Sequence, residues 1–97
     1  MYAYGQGVPQ NYKEAARWFR LAADQGDAVA QFFLGLSYAN GSGVPQDYVQ
    51  SHMWFNLAGA GGEPNAAKAR DSVAQKMTSA QIAEAQRLAR EWKPTKP

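Results

Sequence analysis

The sequence has no cysteine and a single histidine, His52. Without thiols, neither a disulfide framework nor a thiolate metal site can form. A zinc site would need a second ligand three or four residues from His52, and the neighbouring Gln50, Ser51, Met53 and Asn56 supply no imidazole or carboxylate. No metal and no cofactor are therefore expected, and His52 reads as a partly buried side chain. No apolar run approaches the roughly 18 residues needed to cross a bilayer, so no membrane span is expected. The opening MYAYGQG has neither a basic segment nor an apolar one, so no signal peptide is expected within this sequence, and its localisation is left open between cytoplasmic and, for a fragment of a longer protein, exported. Charge of one sign is also scarce: 10 basic against 8 acidic residues give +2, too little and too dispersed for a nucleic-acid surface. From Lys68 onward seven basic residues face three acidic ones, which reads as a solvated basic end.

Catalytic patterns are missing as well. None of Ser37, Ser42, Ser51, Ser72 and Ser79 sits in a nucleophile elbow. Gly41, Ser42 and Gly43 lack the lysine and the spacing of a phosphate loop. Asp27 and Asp47 stand where helices begin, and no carboxylate pair remains for acid and base work. The chain is not expected to be an enzyme. With 97 residues, 45% hydrophobic and 19% charged, it has the content of one folded domain.

What the sequence does contain is a repeat, the feature to be sought before any helix assignment. A shift of 36 residues lays YAYGQGVPQNY (Tyr2 to Tyr12) on YANGSGVPQDY (Tyr38 to Tyr48), identical at eight of eleven positions. The register continues with Trp18 on Trp54, Phe19 on Phe55, Leu21 on Leu57, Ala22 on Ala58 and Gly26 on Gly62. Gly5 and Gly41 suit a left-handed helix stop, and Gly7 and Gly43 permit a further positive φ. Pro9 and Pro45 hold Val8 and Val44 extended, making a stiff loop. Asn11 or Asp47, with Glu14 or Gln50 three residues on, has the spacing of a capping box.

Helical periodicity then predicts helices over Tyr12–Gln25, Ala28–Asn40, Tyr48–Ala60, Asn65–Met77 and Ser79–Trp92. The first places Tyr12, Ala15, Ala16, Phe19, Ala22 and Ala23 on an inner stripe that Trp18 and Leu21 widen. In the second the inner stripe is Ala30, Phe33, Leu34, Ser37 and Tyr38. Pro64 fits the first position of the fourth helix, and Thr78 with Gln81 makes the capping box of the fifth. The two- or three-residue turn at Gly26 and Asp27 makes its flanking helices antiparallel neighbours. Arg70 and Asp71 stand where Leu34 and Gly35 stood, so the repeat loses its apolar demand there, as a terminal unit should. The expected fold is all-α, an α/α superhelix: a solenoid of antiparallel helix pairs. Within one domain, 1–97, residues 1–26 form a partial first repeat, 27–62 a second repeat and 63–97 a C-terminal capping helix pair.

These residues resemble the Sel1-like repeats, bacterial relatives of the tetratricopeptide repeats. The likeness is carried by LGLSYANGSGVPQDY, with Gly35, Tyr38, Gly41, Gly43 and Pro45, continuing to Trp54, Phe55, Leu57 and Ala58. The first copy repeats the loop and the helix after it, with Gly5, Gly7, Pro9 and Trp18, and RDSVAQKMTSAQIAEAQRLAREW (Arg70 to Trp92) is similar to the tail that often closes bacterial members.

The resemblance implies a scaffold that binds a protein or peptide along the concave surface lined by the first helix of each unit. Matched onto this chain, that surface comprises Val29, Phe32, Leu36, Ala39 and Asn40, with Asn65, Lys68, Ser72 and Gln75 on the next such helix. Phe32 and Leu36, large and off the inner stripe, are either covered by a neighbouring helix or stand exposed as anchors. The alternatives are a non-binding structural spacer and part of a cell-envelope enzyme or processing factor. The first copy begins at its final turn, so Met1 is not expected to be a natural start. The helix face carrying Tyr12, Phe19 and Ala22 is expected to form a homodimer through the incomplete N-terminal repeat.

Overall fold

Asp27 and Gly41 bracket one helix of the chain, and side-chain caps at Asp47 and Thr78 open two others. The computed structural model describes residues 11–95; Gly5, Gly7 and Pro9, with the remainder of the first loop copy, lie outside the described residues. Within that span the regular structure is helical: α1 (Asn11–Asp24), α2 (Ala28–Asn40), α3 (Tyr48–Ala60), α4 (Ala66–Ala74) and α5 (Ser79–Glu91). Gly26 turns the chain after α1 at φ 99°. Asp27 then accepts from the Ala30 amide at 2.9 Å, satisfying one of the free N–H groups of α2. At the other end Gly41 adopts the left-handed conformation, and its amide bonds to Ser37 O. The loop closes on itself, because the Asp47 amide returns to Tyr38 O at 3.0 Å while the Asp47 carboxylate caps Gln50 at 3.1 Å. At Thr78 the reciprocal box is complete, with both the Thr78 and Gln81 side chains bonded to the opposite amides.

α1 and α5 match the expected spans to within one residue at each end, and α4 differs at both ends, most at its C-terminus. Pro64 lies in a turn ahead of α4: Glu63 accepts from the Asn65 amide at 2.9 Å, and the tight Ala66 N to Glu63 O bond of 3.2 Å precedes the regular helix. At its far end α4 stops at Ala74, and the chain tightens through i to i+3 bonds at Lys76 and Met77.

α3 is the axis of the molecule, packed against α2, α4 and α5. Its sequence agrees, since Ser51 to Phe55 is an unbroken buried run, as befits a helix with neighbours on every side. The α2–α3 contact is made close by Gly35. Ser51 Oγ donates to Gly35 O at 2.7 Å, and the Phe55 ring lies over the glycine. Four phenylalanines then run across three helices: Phe19 stacks on Phe33 at 5.3 Å, Phe33 meets Phe32 edge-on at 5.7 Å, and Phe32 meets Phe55 at 5.6 Å.

Trp18 and Leu21 do not widen the inner stripe of α1. They are 64% and 54% exposed, whereas Ala16 and Ala23 are buried and Phe19 and Ala22 are partly so. Trp54, the repeat partner of Trp18, is 1% exposed. It packs with Ala23, Ala30 and Leu34 of the preceding helices, under the Arg20 guanidinium at 5.7 Å and against Trp92 at 6.2 Å. By the same translation Trp18 faces the position of a preceding unit, which no described residue fills. The segment after α5 returns to the first unit, where the Thr95 amide donates to Asp24 O at 2.6 Å at the C-terminus of α1.

Candidate binding surface

The residues matched to a concave surface fall on two stripes. On α2, Val29 is 54% exposed, Phe32, Leu36 and Ala39 are half-buried and Asn40 is exposed. On α4, Lys68 and Ser72 are exposed at i and i+4, and Gln75, the C-cap residue just past α4, continues that face at i+7 and is exposed too; Asn65, just ahead of α4, is exposed as well. Neither Phe32 nor Leu36 stands fully exposed. Phe32 sits in the aromatic chain between Phe33 and Phe55, so part of its ring already has a partner within the fold. Val29, on the same stripe, offers the larger free apolar area.

His52 is buried, and a relay of polar side chains ties it to α4. Arg70 can only donate, and its guanidinium reaches Asn56 Oδ1 at 3.3 Å. That turns the Asn56 amide nitrogen toward the ring, where it donates to His52 Nδ1 at 3.2 Å. An amide donor at Nδ1 favours the neutral imidazole. Burial lowers its pKa first, the Arg70 charge lowers it further, and Asp71 opposes them. Among the described residues no group of three or more histidine or acidic side chains converges as a metal site.

Sequence reasoning missed three polar features. Gln31 is buried on α2 and donates to Ala23 O at 3.1 Å, closing the end of α1. Trp54 Nε1 is buried and finds no hydrogen-bond partner among the described residues. The third is the cationic stripe of α1, whose signal was present in the repeat itself: Val49, Met53 and Asn56 take the registers of Lys13, Arg17 and Arg20.

Helices packed side by side, on a sequence that repeats every 36 residues, define an all-α helical-repeat solenoid. The Sel1 repeat model matches residues 1–27 and 28–63, nearly two thirds of the chain. The chain belongs to the Sel1 repeat family. It is similar in structure to a protective antigen present in uropathogenic Escherichia coli strains that displays an SLR fold, with a TM-score of 0.82 and 36% identity. That match covers 91% of this chain and 19% of the antigen, so the chain spans about a fifth of that protein's length. No curated protein matches the chain. Repeats of this family are generally protein-interaction modules and typically non-enzymatic scaffolds. No helix among the described residues is long and apolar enough to cross a membrane.

Proposed function

We propose that the chain binds an extended peptide or protein segment along the surface formed by α2 and α4, with Val29, Phe32, Leu36 and Ala39 giving apolar contact and Asn40, Lys68, Ser72 and Gln75 a polar border. One observation carries this reading: Val29 is 54% exposed at the head of a stripe whose next members are only half-covered. We read residues 63–97 as the cap of the array, because the outer face of α5 is a chain of ion pairs, Glu84 to Arg87 at 2.6 Å and Arg87 to Glu91 at 2.9 Å, rather than an apolar surface. Residues 1–26 and 27–62 are then a partial and a complete repeat.

The test is a set of peptides selected from a random library on the immobilised chain. Val29→Asp combined with Lys68→Glu should weaken them at least tenfold while the circular dichroism is unchanged. Unaltered binding would return this face to a passive spacer.

Self-association at the N-terminal end is a second reading, favoured by Trp18 and Leu21. The surface differs from the expected one, since Phe19 and Ala22 are engaged within the fold. Sedimentation at tens of micromolar should give a dimer that Trp18→Ser dissociates; a monomer at that concentration would remove this reading.

A further inference from the structure

Every lysine and arginine among the first 67 residues, Lys13, Arg17 and Arg20, lies on one face of α1 and lines one cleft of about 180 Å³. The cleft lies between α1, α2 and the glycine loop, with Leu34 and Val44 supplying apolar lining. Leu34 and Tyr38 project from the side of α2 opposite the Val29–Leu36 stripe, so this is a different surface from the one described above. The repeat does not demand cations here, because the second copy carries Val49, Met53 and Asn56 in the same registers.

Arg20 is held in place by Asp24 at 3.2 Å and by the Tyr38 hydroxyl at 3.4 Å. Lys13 and Arg17 are exposed and make no ion pair among the described residues. The wall of the cleft is fixed by Gly43. At φ 81° its backbone lies so close to the carbonyl of Tyr12 and the amide of Lys13 that a Cβ has no room. Two unpaired cations thus stand over an apolar lining between a helix and a seated loop.

We infer that this cleft binds an extended peptide segment carrying two carboxylates at alternate positions. Charge complementarity selects the sign, and spacing selects the conformation. Lys13 and Arg17 are separated by a rise of about 6 Å along α1, and same-face side chains of an extended strand are about 6.7 Å apart. Both cations are solvent-facing, so the site is a weak and salt-sensitive one, suited to one end of a longer contact.

The probe is the peptide acetyl-Ala-Glu-Ala-Glu-Ala-amide, titrated into the full isotope-labelled chain at low salt and followed by amide chemical shifts. The expected result is a set of shifts confined to Lys13–Arg20 and Gly43–Val44, weakened at least fivefold by Lys13→Gln with Arg17→Gln and abolished when both peptide glutamates are glutamine. Arg17→Lys, which keeps the charge, should bind within about twofold of the parent, separating charge from any effect on folding. Shifts that map to the α2–α4 face, or binding indifferent to the double substitution, would overturn the inference. So would equal affinity for an eight-nucleotide oligothymidylate, which would make the stripe a general polyanion surface.

Discussion

Gly35 and Phe55 form a matched pair: a Cβ on Gly35 would stand 2.6 Å from both Cδ1 and Cε1 of the Phe55 ring. The ring is buried and flanked by Phe32, and the Ser51 hydroxyl bond to Gly35 O holds the two helices at this distance, so the ring cannot swing aside. Helix propensity alone would favour alanine at position 35 by about 1 kcal/mol. Overpacking a close-packed contact costs about 1–3 kcal/mol and decides the sign. Gly35→Ala should therefore lower the urea midpoint with an unchanged m-value. A stabilised variant would show that α2 and α3 can separate freely.

Trp18 and Trp54 occupy one repeat position in two environments, and their truncations should differ accordingly. Trp54→Ala removes a side chain enclosed by Leu34, Ala23 and Trp92, so a loss of about 3–5 kcal/mol is expected. Trp18→Ala, on an exposed face, should stay within about 0.5 kcal/mol in dilute solution. Chemical denaturation of both variants at two protein concentrations checks this. A large effect for Trp18→Ala that grows with concentration would place a second copy of the chain on that face.

The same pair marks the limit of what was legible in the sequence. Gly41, Asp27, Asp47 and the Thr78–Gln81 box were readable because each acts through bonds to residues a few positions away, and a local motif carries its own geometry. Helix identity followed from those stops and from apolar periodicity. Burial of a repeat position depends instead on which neighbour the stack supplies, so register alone made Trp18 look like Trp54. The candidate surface suffered similarly. Phe32 lies off the periodic stripe of α2, yet its ring is gripped by Phe33 beside it and Phe55 from α3, a contact that spacing within one helix does not encode. Gln31 was missed because a buried glutamine is unremarkable in sequence until a free helix-end carbonyl faces it.

His52 should make stability depend on pH near neutrality. Its folded-state pKa lies below the ordinary 6.5, because burial and the Arg70 charge disfavour the imidazolium more than Asp71 favours it. Between the folded and the unfolded pKa the unfolded chain binds more protons, so stability rises with pH across that window. The contribution is complete above about pH 6.5 and is lost as pH falls through the folded value. Protonation would also oppose the Asn56 amide with a second donor and break the relay to Arg70. Unfolding free energies measured from pH 7.5 to 5 should decline, and His52→Ala, which copies the Ala16 of the first repeat, should flatten the decline. A slope unchanged in His52→Ala would assign it to other groups.

The two ends of α5 offer a test of whether that helix docks as one body. Thr78→Ala removes the capping hydroxyl at its N-terminus and should cost about 1 kcal/mol. Trp92→Ala, at the other end, uncovers Trp54 and loosens the segment whose Thr95 amide closes α1, so about 2–3 kcal/mol is expected for a half-buried aromatic. The two sites are separated by about 20 Å of helix and share no contact, so their costs should add within about 0.5 kcal/mol if α5 stays seated in each single variant. Should Trp92→Ala alone release α5, the cap at Thr78 would no longer bear on a docked helix. The double variant would then lose clearly less than the sum, and amide exchange over Ser79–Glu91 would already be fast in Trp92→Ala.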